Sequence, residues 1–97
     1  MSYATKQYND YELLNYIADN NEDAVNIMYK KYEPLIYKIS NKMLNYNNNS
    51  GLELNDLIQE GMLALSKAIE TFDENDGSMF YTYAKTCIER KILSMVI

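Results

Sequence analysis

Apolar residues recur along most of the chain at the spacing of α-helices. The first set with this spacing is Leu13, Leu14, Ile17 and Ala18. Asn9 followed three residues later by Glu12 forms a capping-box pattern, so we predict a short helix near residues 10–19. The sequence DNNED interrupts the pattern, and Asn20 or Asn21 is expected to cap the next helix.

A second, longer helical pattern extends from Ala24 to Leu44. Pro34 lies in its middle, where proline removes a backbone donor and clashes with the preceding turn. We therefore expect a kink or a break near residues 32–33. The sequence NYNNNSG that follows is rich in residues that favour turns and is interpreted as a loop.

A third helix is predicted from about Leu54 to Thr71. Its apolar stripe comprises Leu54, Leu57, Ile58, Gly61, Leu65, Ala68, Ile69 and Phe72. Gly61 lies within this stripe, where its missing side chain would let another helix approach closely. The sequence DENDG ends the helix, and Ser78 is expected to cap a fourth helix that runs from about Met79 to the end of the chain.

The composition agrees with this pattern. The chain has 97 residues, of which 47% are hydrophobic and 24% charged, a balance typical of one globular domain. Valine is scarce, and there are only three glycines and one proline, which disfavours a strand-and-turn protein. We predict an all-α fold in which residues 1–97 form a single domain of three long helices plus a short N-terminal helix.

Several kinds of chemistry are excluded by the residues that are missing. With no histidine and only Cys87, the chain lacks the side chains for Ser-His or Cys-His nucleophiles and for the usual zinc sites. The sequence DENDGS differs from a calcium loop because its glycine is one position early and no glutamate closes the loop. We expect no bound metal, no cofactor and no enzymatic activity. An enzyme that uses carboxylates for catalysis is the remaining alternative. A lone cysteine and the lack of a signal peptide or membrane span favour the cytoplasm.

The side of the third helix opposite its apolar stripe carries Asp56, Gln59, Glu60 and Leu63. A solvated helix face is the simpler interpretation. However, Leu63 is an apolar residue between Glu60 and Lys67, with Met62 at the edge, and an apolar spot surrounded by charge suits a protein interface. The net charge of −5 is unevenly spread: residues 52–76 are strongly acidic and residues 77–97 are basic, which would suit two different partners.

Aromatic and basic residues alternate in the fourth helix: Phe80, Tyr81, Tyr83, Lys85, Arg90 and Lys91. Aromatic faces hold unpaired bases by stacking, and cations hold phosphates. The alternative is that Phe80, Ala84, Cys87 and Ile88 belong to the core, which we expect for Ala84 and Ile88.

The sequence from Asp56 to Ile97 resembles region 2 of the bacterial RNA polymerase sigma factors of the sigma-70 family. The motifs that carry the resemblance are DLIQEG, the spacing from it to Phe72, and the run of Gly77, Phe80, Tyr83 and Ala84. Residues 24–46 match the preceding family helix more loosely. The sequence CIERKI is more similar to the sigma-H-like alternative branch of the family.

This resemblance implies a sigma region 2 fold and two partners. One is the RNA polymerase core, whose clamp helices in the largest subunit, a basic coiled coil, would contact Asp56, Gln59, Glu60 and Leu63. The other is the −10 element of promoter DNA, which the fourth helix would recognise and melt through Phe80, Thr82, Tyr83, Thr86, Cys87 and Arg90. An anti-sigma factor is a further partner that the resemblance leaves open, and no membrane is expected.

The chain departs from the family pattern at two places. Primary sigma factors carry paired tryptophans where this chain has Thr86 and Cys87, and residues 74–76, END, replace the usual basic residues. Both changes predict weaker melting and a stricter promoter preference. Because nothing here resembles the family's region 4, we expect a fragment of a longer chain or a truncated paralogue. A sigma-like regulatory module that binds polymerase or another partner without reading DNA is the alternative function.

Overall fold

The computed structural model describes residues 8–47 and 51–97, and within these it contains four α-helices and no strand. The helices are α1 (Asp10–Ala18), α2 (Glu22–Tyr46), α3 (Leu54–Thr71) and α4 (Phe80–Val96), and a short 3-10 helix, Glu74–Asp76, lies between α3 and α4. The predicted all-α fold of three long helices and a short N-terminal helix is confirmed. None of the helices in the described part of the chain is long and apolar enough to cross a membrane.

The starts of α1 and α2 follow the predicted capping chemistry. The side chain of Asn9 accepts a hydrogen bond from the backbone N–H of Glu12 at 2.9 Å, and the Glu12 carboxylate accepts one from the N–H of Asn9 at 3.2 Å. Of the two candidates for the next cap, Asn21 is the one that accepts from the N–H of Ala24, at 3.2 Å. Asn20 instead adopts a left-handed conformation, with φ of 65°, in the turn between the helices.

Of the predicted kink or break near residues 32–33, the break is wrong, because α2 continues through Pro34. Pro34 is exposed, and so is Lys30, whose carbonyl loses its usual donor. Both residues thus lie on the solvent side of α2 and not against the core. The predicted loop NYNNNSG also begins later than expected, since α2 extends to Tyr46. Residues 48–50 of that loop lie outside the described residues.

The bounds of α3 are those predicted, and its buried residues are Leu57, Gly61, Leu65 and Ala68. A Cβ atom on Gly61 would lie 2.7 Å from Cγ2 of Ile36 in α2 and 3.2 Å from Cδ1 of Ile92 in α4. Both neighbouring helices therefore pack against the glycine, which confirms the predicted close approach. Core residues of all four helices meet in one cluster.

The start of α4 differs from the prediction. The N-cap is Met79, one residue after the predicted Ser78, and it makes no side-chain capping bond. The backbone N–H of Phe80 donates instead to the hydroxyl of Tyr11 in α1, at 3.3 Å. A side chain from another helix thus satisfies one of the free N–H groups that every helix start presents, and no local sequence pattern signals such a cap.

An aromatic cluster joins α2, α3 and α4, and consists of Tyr32, Phe72 and Phe80. Phe80 packs edge-on against Tyr32, with ring centroids 5.8 Å apart, and against Phe72 at 5.2 Å. The hydroxyl of Tyr32 donates to Asp10 of α1 at 2.7 Å, and Asp10 also forms an ion pair with Lys31 at 2.7 Å. Burial, followed by the hydrogen bond to Asp10, raises the pKa of Tyr32 above its ordinary value.

Candidate functional site

The four residues predicted to contact polymerase lie together on the side of α3 that faces away from the core. We call this surface the outer face of α3; it comprises Asp56, Gln59, Glu60 and Leu63. Glu60 is half-buried and the other three are exposed. Leu63 is 63% exposed, a high value for a leucine in a well-packed domain. The structure therefore leaves an apolar side chain uncovered among polar and acidic ones.

Asp56 has a structural role that the sequence analysis missed. Its carboxylate accepts a hydrogen bond from the backbone N–H of Glu53 at 2.8 Å, at the first turn of α3. A carboxylate at this position also interacts favourably with the positive end of the helix dipole. Glu53 followed by Asp56 three residues later is a variant of the capping-box spacing, so the signal was present in the sequence. Asp56 thus stabilises the start of the helix as well as contributing to its outer face.

An apolar surface continues from the outer face of α3 toward α2. Ile58 and Met62 line a shallow groove there, together with Tyr29. The hydroxyls of Tyr29 and Ser66 are 2.7 Å apart and hydrogen-bonded, so Ser66 is engaged in holding α2 against α3. The accessible groups in this part of the surface are therefore mainly apolar side chains, because the two hydroxyls are paired with each other.

Five of the six residues predicted to contact DNA are accessible along α4. Thr82 and Arg90 are exposed, whereas Tyr83, Thr86 and Cys87 are half-buried. The hydroxyl of Thr86 donates to the carbonyl of Thr82 at 2.9 Å, so it is satisfied within the helix. These side chains share one region of α4 and leave one aromatic ring and one guanidinium group open to a ligand.

The sixth residue, Phe80, is the exception and requires a correction. Its side chain is 0% exposed and lies at the centre of the aromatic cluster, so it presents no face on which a base could stack in this conformation. The alternative interpretation, that Phe80 belongs to the core with Ala84 and Ile88, agrees with the structure, in which all three are buried. Cys87, the fourth residue of that alternative, is only half-buried.

Tyr83 is held in place by two neighbours from the end of α3. Its ring packs against Phe72 at a centroid distance of 5.6 Å and an interplanar angle of 47°. Its hydroxyl lies 2.7 Å from the hydroxyl of Thr71, which itself donates to the carbonyl of Lys67 at 2.9 Å. Because the Thr71 proton is used there, the Tyr83 hydroxyl is the donor to Thr71. The ring is thereby pre-positioned, which lowers the entropy cost of stacking a ligand on it.

Tyr81 is an accessible aromatic residue that the predicted site did not include. It is 46% exposed and leans on Tyr32, with centroids 6.2 Å apart. The sequence showed Tyr81 among the aromatic residues of the helix, and the alternative interpretation placed Phe80, but not Tyr81, in the core. Burial makes that distinction, since the cluster encloses Phe80 and leaves Tyr81 at its edge.

Between the outer sides of α3 and α4 runs a groove of ≈ 690 Å³, which we call the α3–α4 groove. The two helices are antiparallel, because Thr71 meets Tyr83 at one end and Glu60 meets Lys91 at the other. The lining consists of Glu60, Leu63, Ala64, Lys67, Thr71, Tyr83, Cys87, Arg90, Lys91 and Ser94. Residues of both predicted interfaces therefore border one cavity, with three cations and one carboxylate around an apolar floor.

One ion pair crosses this groove. The Nζ atom of Lys91 lies 3.8 Å from Oε2 of Glu60, and both side chains are partly exposed. Within residues 8–47 and 51–97, no group of three or more His, Cys, Asp or Glu residues has the geometry to hold a metal ion. The residues that line the groove offer charge pairing, aromatic stacking and apolar contact.

Comparison with known proteins assigns the family. The family model described as Sigma-70 region 2 matches residues 28–96, which cover α3, α4 and most of α2. The chain is 32% identical over 82 residues to the RNA polymerase sigma-E factor of Clostridium acetobutylicum, covering 84% of this chain and 33% of that protein. This chain belongs to the sigma-70 region 2 family, which is not a family of enzymes.

Other relatives lie in several branches of the family. SigA of Mycoplasma genitalium is 41% identical over 69 residues, covering 71% of this chain and 13% of that protein. The RNA polymerase sigma-H factor of Bacillus subtilis is 26% identical over 90 residues, covering 93% of this chain and 39% of that protein. The sigma-H-like branch is thus represented but not singled out. The chain spans at most about two fifths of the length of these three relatives.

Proposed function

We propose that this domain docks on RNA polymerase core through the outer face of α3 and recognises and melts the −10 promoter element through α4. The observation that carries the proposal is the grouping of Asp56, Gln59, Glu60 and the uncovered Leu63 on one face of a helix within the matched family region. Carboxylates would attract the basic clamp helices, and Leu63 would be buried on contact. The proposal implies a cytoplasmic protein.

The DNA-binding part of the proposal rests on α4. Tyr83 supplies a fixed aromatic face, Tyr81 a second accessible ring, and Arg90 a cation within the α3–α4 groove. Stacking contributes about 1–3 kcal/mol per base, so two rings would hold a short melted segment. Thr82, Thr86 and Cys87 would contact the DNA around these anchors. Phe80 would act indirectly, by keeping the first turn of α4 in place.

The test of docking is a pull-down with purified bacterial polymerase core, in which wild type is compared with Glu60→Lys. Reversing the charge of Glu60 would repel a basic partner, so we expect binding to be lost while the melting temperature stays within a few degrees. Asp19→Lys is the matched control, since Asp19 is exposed at the end of α1 and undergoes the same charge change. If both variants bind like wild type, the outer face of α3 is not the docking surface.

The alternative, a module that binds polymerase or another partner without reading DNA, is favoured by one specific observation. Glu74 and Asp76 are exposed in the turn immediately before α4, where their charge would repel phosphates. The two functions are separated by adding single-stranded promoter DNA to the polymerase-bound domain. DNA binding that Arg90→Gln and Tyr83→Ala both weaken supports the sigma function, whereas the absence of DNA binding, or DNA binding that neither variant changes, supports the alternative.

A further inference from the structure

The α3–α4 groove carries a charge opposite to that of the chain as a whole. The chain has a formal net charge of −5. The groove, in contrast, is lined by three cations and one carboxylate, namely Lys67, Arg90, Lys91 and Glu60, so its formal charge is +2. A local positive potential of this kind attracts anions even to an acidic protein.

Two of the three cations are not neutralised by a neighbouring carboxylate. The charge of Glu60 is directed at Lys91, whose Nζ atom lies 3.8 Å from Oε2. Neither Lys67 nor Arg90 takes part in the ion pairs formed within residues 8–47 and 51–97. Lys67 belongs to α3 and Arg90 to α4, so an anionic group in the groove would have an unpaired cation on each of its two walls.

The remainder of the lining suits an aromatic group. The ring of Tyr83 is fixed by its packing on Phe72 and by the hydrogen bond to Thr71, so little conformational entropy is lost when a second ring packs against it. Leu63 and Ala64 add apolar surface from α3. The volume of ≈ 690 Å³ lies within the range of about 300–1,000 Å³ that is typical of small-molecule sites.

Two grooves between α2 and α3 lack the charged part of this arrangement. One has a volume of ≈ 420 Å³ and includes Tyr29 and Met62, and the other has a volume of ≈ 410 Å³ and includes Tyr37 and Met62. Among the described residues, no lysine or arginine lines either of them. The α3–α4 groove therefore differs from these two in offering charged contacts to an anion.

We propose that the α3–α4 groove is a binding site for a small aromatic anion, of the class of aromatic carboxylates and sulfonates. The acidic group contacts Lys67 and Arg90, and the aromatic body packs against Tyr83 and Leu63. This inference goes beyond the proposed function, because the site needs neither polymerase nor promoter DNA.

The first experiment titrates the 97-residue chain at low salt with anilinonaphthalene sulfonate, an aromatic anion whose fluorescence rises in apolar surroundings. Phenylnaphthylamine, which has the same rings without the sulfonate, is the uncharged comparison. We expect one sulfonate molecule to bind per chain, with an affinity that falls as salt is added, because salt screens Lys67 and Arg90. The binding of phenylnaphthylamine should not weaken with salt. Absence of a fluorescence change at millimolar sulfonate would overturn the proposal.

Two charge variants locate the acidic group. Lys67→Gln and Arg90→Gln should each weaken sulfonate binding by about two- to fivefold, the range for a partly exposed charge contact, and should leave phenylnaphthylamine binding unchanged. Lys38→Gln is the matched control, because Lys38 is exposed on α2, outside the groove, and undergoes the same charge change. A loss in Lys38→Gln equal to that in Lys67→Gln would assign the attraction to overall charge and overturn the site. Sulfonate binding that neither Lys67→Gln nor Arg90→Gln changes would overturn it as well.

A third variant, Leu63→Ala, tests the position of the aromatic body. Leu63 is 63% exposed, so the melting temperature should stay within a few degrees of wild type, which is also the check on folding for the charge variants. The lost apolar contact should weaken sulfonate binding by about two- to fivefold and leave its salt dependence unchanged, since both cations remain. Met79→Ala is the control, because Met79 is 64% exposed and lies outside the groove. An unchanged affinity in Leu63→Ala, or an equal loss in Met79→Ala, would contradict the placement of the aromatic body in the α3–α4 groove.

Discussion

The two sides of α4 differ in what surrounds them. On the side toward α1 and α2, Phe80 is enclosed by rings of other helices, and Tyr32 is tied by a hydrogen bond to Asp10. On the side toward the outer face of α3, Tyr83 borders an open groove with its ring only partly covered. Phe80 and Tyr83 are three residues apart, and both were predicted to contact DNA, with the core as the alternative for Phe80. The difference teaches that neighbours supplied by distant elements decide which aromatic residue stabilises the fold and which remains available.

The largest effect is expected from Phe80→Ala. Removing a fully buried phenyl ring from the aromatic cluster leaves a cavity and should lower the free energy of unfolding by about 3–5 kcal/mol. Chemical denaturation monitored by circular dichroism measures this loss. If Phe80→Ala unfolds entirely, Phe80→Leu keeps most of the apolar volume and should show an intermediate loss.

The control for this experiment is Tyr81→Ala, the next residue along α4. Its side chain is 46% exposed, so the same truncation should cost far less, about 1 kcal/mol. Similar losses for the two variants would contradict the contrast between the enclosed ring of Phe80 and the exposed ring of Tyr81.

The side of α4 toward α1 and α2, which we call the closed side, is also where prediction from sequence was least complete. The bounds of α3 and the close approach at Gly61 were predicted correctly, because helical periodicity and the missing side chain of glycine are local signals. The cap of α4 by Tyr11 depends on a helix distant in sequence, so no local pattern reveals it. The burial of Phe80 was predicted only as the alternative interpretation, and the rings of Tyr32 and Phe72 that enclose it come from outside α4. The break offered as one outcome at Pro34 was wrong because the rule for proline is local, whereas Pro34 lies at an exposed position of a long helix.

The side of α4 toward the outer face of α3, which we call the open side, was predicted more completely from the sequence. The grouping of Asp56, Gln59, Glu60 and Leu63 follows from the helical period alone, because residues three and four apart share a face. What periodicity does not give is the pairing between helices, such as Glu60 with Lys91 and Thr71 with Tyr83. These contacts depend on the antiparallel register of α3 and α4, in which Ile92 of α4 packs closely against Gly61 of α3.

An intermediate effect is expected from Tyr32→Phe. The variant loses the hydrogen bond to Asp10, and because the acceptor is a carboxylate we expect a loss of about 1.5 kcal/mol in the free energy of unfolding at neutral pH. Equilibrium denaturation in urea measures it. Tyr37→Phe is the control, since Tyr37 is 53% exposed and its hydroxyl should contribute little.

The same variant tests the pKa of Tyr32. Folding raises this pKa above the ordinary value of 10.0, so the protonated phenol stabilises the folded state below that pH. As the pH rises above about 10, the unfolded state loses its proton first and the stability contributed by Tyr32 declines. Tyr32→Phe should remove that part of the decline, while Tyr37→Phe should not. An identical alkaline profile for wild type and Tyr32→Phe would contradict the role of the buried phenol.

The smallest effect on stability, and the largest contrast with Phe80→Ala, is expected from Tyr83→Ala. Its ring is half-buried and contacts mainly Phe72, so truncation should lower the free energy of unfolding by only about 1 kcal/mol. Under the proposed function, it should leave polymerase binding intact and weaken binding of single-stranded promoter DNA by about 1–3 kcal/mol once polymerase is present. Tyr83→Phe retains the stacking face and loses only the hydrogen bond to Thr71, so it should preserve most of the DNA affinity. Two outcomes would show that Tyr83 is a core residue: a loss of stability as large as that of Phe80→Ala, or an equal weakening of polymerase binding and DNA binding. In either case the open side of α4 does not differ in role from the closed side.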